Sequence, residues 1–209
     1  MENIQNINIK NELLRKLIHI SYSLSAFVYL FLGFKITSIL LGIASVLMIL
    51  LDILRIYSVP VQKIYLKIFG KILREHEVNN SKSLFTGGTY IVISTFFIVL
   101  IFPMPVAVCA IFIITYSDSA AALIGRLFGR IKIFNKTLEG SIFFFLVGLA
   151  IILLTPKVTT DSFEKQICVF SLIITTILEV FPIKIDDNIY LPFVFSLIYY
   201  FLLKLFNLY

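Results

Sequence analysis

Glu12, Arg15, Lys16 and His19 stand at i, i+3, i+4 and i+7 in the stretch ELLRKLIHI. On a helix these positions share one face. Two cations, a carboxylate and an imidazole on one side of a segment entering an apolar run form a polar wall. A second group lies in TYSDSAAALIGRLFGRIKIFNKTLEGS, residues 115–141. Asp118 is about two turns from the end of an apolar segment, where a carboxylate is costly unless paired, solvated or metal-bound. Ser119, Ala120, Ala121 and Ala122 follow it and permit close helix approach. Next come Gly125, Arg126, Gly129, Arg130, Lys132 and Lys136, then Thr137, Glu139, Gly140 and Ser141. Glycines allow close backbone approach, cations meet phosphate oxygens and carboxylates hold Mg²⁺. A nucleoside triphosphate with its metal needs that combination, and a positive-inside loop with packing glycines is the plainer account.

Smaller motifs accompany these two. In SLFTGGTY, Thr86, Gly87 and Gly88 either form a plain turn or present N–H groups to a phosphate at a helix start. The spacing of a Walker A loop is absent. Asp52 and Arg55 in DILR sit one turn apart and suit an intrahelical ion pair. Glu179 ends one apolar segment, and Asp187 or Asn188 suits the N-cap of the next. His76, in REHEVNN, reads as solvated. Cys109 and Cys168 lie in apolar segments without a CxxC or Cys/His pattern, so they read as small core residues.

The elements that must position these groups are set by hydropathy. Of 209 residues, 59% are hydrophobic and 14% charged, against about 25% charged in soluble domains. Apolar blocks of about 17–25 residues are of membrane-spanning length, and they are continuous, which excludes a β-barrel. The expected fold is an all-α, polytopic membrane helix bundle in one domain, residues 1–209. Seven spans are expected, at about 17–34, 36–54, 88–102, 104–124, 140–155, 166–181 and 189–207. The first block runs on without a cleavage site, unlike a signal peptide. Between spans two and three, residues 55–87 include an amphipathic segment with Lys63, Lys67, Lys71 and Arg74 among apolar residues, expected at the membrane surface.

The net charge of +6 comes from 18 Lys+Arg against 12 Asp+Glu. With the N-terminus cytoplasmic, only Lys35, Lys157, Lys165 and Lys204 fall outside, and Lys10, Lys82 and the remaining cations fall inside. That is a positive-inside pattern, and no soluble basic domain exists to bind nucleic acid. Only Asp161 and Glu164 among the acids fall outside. Topology explains the gathered cations, but not Asp52, Asp118, Glu139 and Glu179 at membrane ends.

ELLRKLIHI, DILR, TGGTY, SDSAAALIGRLFGR, NKTLEGS and DDNIYLP occur in an order that resembles the CTP-dependent lipid-alcohol kinases: dolichol kinase, phytol kinase and the yeast-type diacylglycerol kinase. The likeness runs from Glu12 to about Pro192. The wider superfamily includes CTP:phosphatidate cytidylyltransferase, whose core resembles Asp118, Gly125–Arg126, Phe128–Gly129 and Lys136 to Gly140. That enzyme's later acidic and His-Gly-Gly motifs have no counterpart after Gly140, where only DDNIYLP stands, so the kinase branch fits better.

The resemblance implies phosphoryl transfer from CTP to the hydroxyl of a membrane lipid alcohol (a polyprenol, a phytol-like alcohol or diacylglycerol) at the cytoplasmic face. Asp118 and Glu139 then hold Mg²⁺ or activate the hydroxyl. Lys136, Lys132 and Arg126 neutralise phosphates in a loop at 125–139. Gly125, Gly129, Thr137 and Gly140 shape it, and Thr86, Gly87 and Gly88 add donors. Arg15, Lys16 and His19 line the opening, with Glu12 fixing Arg15 or Lys16. The lipid enters sideways between helices. The alternatives are nucleotidyl transfer to phosphatidate and a transporter or lipid-binding protein without chemistry, although polar groups at one face speak against transport. A short N-terminal segment leans towards a prokaryotic plasma membrane.

Overall fold

The computed structural model describes residues 9–73, 75–78 and 84–209. Arg74 and Lys82 lie outside the described residues, as do the side chains of Lys10 and His76. Among the described residues ten α-helices follow in order: α1 (Ile9–Ser21), α2 (Leu24–Tyr57), α3 (Val59–Phe69), α4 (Glu75–Val78), α5 (Gly87–Ile101), α6 (Met104–Phe112), α7 (Asp118–Phe128), α8 (Leu138–Leu154), α9 (Ser162–Val180) and α10 (Asp187–Leu205). A π-helical turn, Ile113–Ser117, joins α6 to α7. A two-residue antiparallel ribbon, β1 (Lys132–Ile133) with β2 (Lys136–Thr137), is the only sheet among the described residues. It turns through Phe134 in the left-handed region at φ 52.

Among the described residues, three apolar runs are long enough to cross a membrane: Asn11–Tyr57, Met104–Phe128 and Asp187–Leu205. Gly87–Ile101 and Leu138–Leu154 are apolar but shorter. The outside of the bundle is apolar as well. Phe31 is 81% exposed and Leu154 86%, which water would penalise and lipid tails favour. This is a membrane protein.

The Asn11–Tyr57 run doubles back within its length. Gly33 takes φ 73 and ψ −177 inside α2, a conformation open to glycine and closed to most residues. Tyr22 before the break and Met48 after it both reach Gly88 at the start of α5. Phe27 stacks edge-on to Phe112 at 5.1 Å between centroids, and Gly42 packs on Phe96. The chain therefore descends from Tyr22, reverses at Gly33 and climbs to Asp52, bringing both polar ends of the run to one level. The break falls two residues before Lys35, where the sequence separates two spans.

The Met104–Phe128 helix is the axis. Every residue from Val106 to Thr115 is buried, enclosed by α2, α5, α8 and α10. Around it the bundle has a polar end at Asp118 and a second, smaller one opposite. There Glu164 is fully buried and accepts bonds from Val158 N at 2.8 Å, Thr159 N at 2.6 Å and the Tyr199 hydroxyl. Lys157 closes α8 by donating to the Ile152 and Thr155 carbonyls at 2.6 and 2.7 Å.

Two boundaries differ from the sequence reading. Helix α7 runs on to Phe128, so Gly125 and Arg126 are helical and the loop after them begins at Gly129. The reason is packing: α7 and α8 cross closely at Gly125 and Gly140, where a Cβ on Gly125 would meet Thr137 Oγ1 at 2.6 Å and one on Gly140 would meet the Ala121 carbonyl at 2.8 Å. The N-cap of α10 is Asp186, which accepts from Asn188 N at 3.0 Å, rather than Asp187 or Asn188.

A Gly140→Val protein should lose about 1–3 kcal/mol of stability, because a rigid backbone carbonyl cannot give way to the added branches. The readout is the thermal midpoint of the purified protein in detergent, and an unchanged midpoint would contradict the close crossing.

Candidate active site

The stripe in α1 faces inward. Glu12 and Lys16 are 4% and 5% exposed. Glu12 binds Arg15 at 2.7 Å through one carboxylate oxygen and Arg126 of α7 at 3.4 Å through the other. Lys16 Nζ lies 2.5 Å from Asp118 Oδ2 and 3.4 Å from the Asp118 carbonyl. His19 Nε2 is 2.8 Å from Asn188 Oδ1 and 3.9 Å from Asp118 Oδ2. Its Nδ1 sits 3.3 Å from both the Thr115 carbonyl and Ser119 Oγ. One helical face therefore joins α1 to α7 and α10 through Glu12, Lys16 and His19.

Beside Asp118, Lys136 Nζ bridges Glu179 at 2.6 Å and Asp187 at 2.7 Å. Ser141 Oγ donates to the other Glu179 oxygen at 2.9 Å. Burial works against the Lys136 charge, but Asp187, Glu179 and Asp118 outweigh it, so its pKa is raised above the ordinary lysine value.

A third cluster caps α5. Asp52 Oδ1 accepts from Arg55 Nε at 2.8 Å, and Asp52 Oδ2 accepts from Thr86 N at 2.8 Å and Thr89 Oγ1 at 2.6 Å. Glu77 Oε1 accepts from Gly87 N at 2.7 Å, while the Glu77 carbonyl accepts from Arg55 Nη1 at 2.6 Å. The first-turn N–H groups of α5 thus meet carboxylates, the stabilising charge for a helix N-terminus. The donors of Thr86 and Gly87 are committed within the protein, not open to a phosphate as the sequence suggested. Gly88 serves packing, since a Cβ there would stand 3.1 Å from the Tyr22 hydroxyl oxygen.

A cavity of about 310 Å³ lies between these clusters. Arg15, Lys16, His19, Asp118, Asp187 and Asn188 border it, as do Glu77, Thr86, Gly87 and Gly88. Several expected residues stand away from it. The Glu139 carboxylate turns to the loop, accepting from Arg130 N at 2.9 Å and Ile131 N at 3.2 Å. Thr137 is the N-cap of α8, its hydroxyl accepting from Gly140 N at 3.2 Å. Gly125, Gly129 and Gly140 all pack against or beside Thr137, and Lys132 is exposed on the ribbon. Asp118 and Glu139 are therefore held by different partners and do not form one ligand pair.

Glu77 and Tyr22 were missed by sequence reasoning. Tyr22 extends the stripe at i+10 from Glu12, a legible signal, but Glu77 sits in a charged stretch without periodicity. Among the described residues no three His, Cys, Asp or Glu side chains converge as a metal cage. Mg²⁺ usually takes one or two carboxylates and completes its shell with phosphates and water. Asp118 and Asp187, which share the cavity, fit that lesser demand.

This chain is similar to several known proteins. An uncharacterized protein of Rickettsia prowazekii is 29% identical over 185 residues, 88% of this chain and 90% of that protein. The protein named CTP-dependent diacylglycerol kinase 1 in Saccharomyces cerevisiae is 30% identical over 148 residues, 67% of this chain and 49% of the yeast protein, so the chain spans about half that relative's length. Its namesake in Schizosaccharomyces pombe is 24% identical over 207 residues, 91% of this chain and 93% of that protein. No family model and no solved structure matches the chain. The likeness to CTP-dependent diacylglycerol kinases is thus distant.

Two outcomes follow from the geometry. Asp52→Ala strands the buried Arg55 guanidinium and the capped donors of α5, and should cost about 3–5 kcal/mol in chemical unfolding. Lys136→Met should lower stability by an amount that stays constant from about pH 7 to about pH 9. Because the folded-state pKa of Lys136 is raised, its contribution is complete below the ordinary value of 10.5 and fades only as pH climbs through the raised one. A difference that shrinks already near neutrality would contradict the ion-pair geometry.

Proposed function

We propose that this chain is a CTP-dependent kinase that phosphorylates the hydroxyl of a membrane lipid alcohol. The observation that carries the reading is the Lys16–Asp118 pair, placed in a cavity whose side wall is largely apolar. The distant likeness to CTP-dependent diacylglycerol kinases supports the donor and the lipid class. The bundle spans the membrane several times, with its N-terminus and this site on the cytoplasmic side of a prokaryotic plasma membrane. The positive-inside pattern of the sequence supports that orientation.

Phosphoryl transfer asks the protein mainly for position and charge compensation. Asp118 orients the acceptor hydroxyl and takes its proton as the oxygen bonds to the γ-phosphorus, while the bond from that phosphorus to the β,γ-bridging oxygen breaks and CDP leaves. Lys16, already against Asp118, faces the charge that develops on the transferred group. His19, braced by Asn188, keeps the proton-accepting side of the site ordered. Arg126, Lys132 and Lys136 compensate the triphosphate, and Glu139 shapes their loop through the Arg130 and Ile131 amides. Asp187 and Asp118 would hold Mg²⁺, which would supply further charge neutralisation at the phosphates.

Purified protein with Mg²⁺ should pass label from γ-labelled CTP to a lipid alcohol, and chelation with EDTA should stop it. Asp118→Asn and Lys16→Met should each lower kcat by at least about 100-fold, with folding followed by thermal midpoint. Label from the α position entering phosphatidate would replace this reading with nucleotidyl transfer.

A further inference from the structure

The cavity has two unlike ends. Lys16, His19, Asp118, Asp187 and Asn188 close one of them, while Ile18, Met48, Leu51, Phe69, Ile72 and Leu73 form much of its side wall. Ile18, Leu51 and Phe69 belong to two surfaces at once. They line the cavity, and 37%, 43% and 39% of their surface stays accessible. Leu14, Leu47, Leu54 and Ile68, on the same helices, are exposed as well. The mouth is therefore apolar, and it opens on an apolar exterior between α1, α2 and α3.

Charge decides what this space accepts. Its charged lining is Arg15 and Lys16 against Glu77, Asp118 and Asp187. Both cations are engaged, Arg15 by Glu12 and Lys16 by Asp118. The carboxylates are engaged too, Asp118 by Lys16, Asp187 by Lys136 and Glu77 by the Gly87 amide, so the lining offers a triphosphate apolar walls and no cation outside an ion pair. Arg126, Lys132 and Lys136, the cations of α7 and the ribbon, do not line the cavity.

We infer that this cavity is the acceptor chamber of the proposed kinase, holding the hydroxyl-bearing end of the lipid alcohol, with the hydrocarbon leaving through the Ile18–Leu51–Phe69 mouth into the bilayer. The inference rests on the lipid-kinase reading. It divides the site in two: the lipid reaches Asp118 from the apolar side, and the nucleotide reaches it from the side of α7 and the ribbon. At about 310 Å³ the chamber is at the small end of ligand pockets, roughly 300–1,000 Å³. It holds a head and the first stretch of chain, and the remaining hydrocarbon stays in the membrane. Helix α3 is then a wall of the substrate site as well as a surface helix, because Tyr65 and Phe69 face the chamber.

The test uses the full chain in lipid nanodiscs. Met48→Trp narrows the chamber, and the milder Met48→Phe covers the case in which the tryptophan protein fails to fold. The KM for diacylglycerol should rise about tenfold or more with tryptophan and less with phenylalanine, while the KM for CTP stays within about twofold. A CTP KM that rises in step, or a lipid KM that does not move, overturns the assignment. A second readout needs no turnover. A diacylglycerol carrying a diazirine beside the ester is photolysed with wild-type protein, and the labelled peptides are mapped by mass spectrometry. Label on residues 18–22, 48–51 and 69–73 supports the chamber, and label confined to other helices overturns it. Chamber labelling without any phosphoryl transfer would leave the lipid site standing and remove the kinase reading. Transfer with label elsewhere would do the reverse.

Discussion

Asp118 sits on the buried axis of the bundle, and the ammonium of Lys16 is its partner there. A carboxylate in an apolar setting must find a cation or give up its charge. That requirement reaches far through the chain. It brings α1 against α7, so the whole stripe from Glu12 to His19 must face inward. His19 then meets Asn188, which ties in α10. Glu12 meets Arg126, which fixes the last turns of α7. One ion pair between residues 102 positions apart thus selects which face of three helices is interior.

The clusters on either side of this pair are of different kinds. Asp52, Arg55, Glu77, Thr86 and Thr89 are nearly all inaccessible and bond to one another or to backbone. They make a rigid cap on α5, and breaking it strands several groups together. Lys136, Glu179 and Asp187 are looser, since Lys136 and Asp187 keep roughly three-tenths of their side chains exposed. A rigid cap on one side and an open ion-pair network on the other suit a site in which one wall holds still while charged ligands rearrange its neighbour.

Local patterns were the legible ones. The spacing of Glu12, Arg15, Lys16 and His19 showed a shared helical face, and Asp52 with Arg55 showed an ion pair one turn apart, because both depend on helix geometry alone. The apolar blocks showed an all-α membrane bundle, and Lys35 marked the reversal to within two residues. What distance in sequence hid was partnership. Nothing local says that Asp52 will cap Thr86, that Glu77 will take the Gly87 amide, or that Lys136 will lie between Glu179 and Asp187. Glu139 follows Asp118 in the chain but turns to its own loop, where the Arg130 and Ile131 amides donate to it. Gly125 and Gly140 suggested a phosphate loop, and steric demand between two crossing helices gave them another use.

The π-helical turn at Ile113–Ser117 has a consequence for inheritance. Such a turn is equivalent to an α-helix with one residue inserted. Everything after it is rotated by about 100° relative to an unbroken helix. Asp118 is the first residue downstream, so its bearing towards Lys16 depends on that extra residue. Losing any one of the five would straighten the axis, strengthen the local hydrogen bonds and swing the carboxylate out of the site. A single-codon deletion here would part Asp118 from Lys16 and shift the α7–α8 crossing at Gly125 and Gly140, whereas a substitution that keeps the length would be the milder event. In this part of the chain, residue count carries information that residue identity does not.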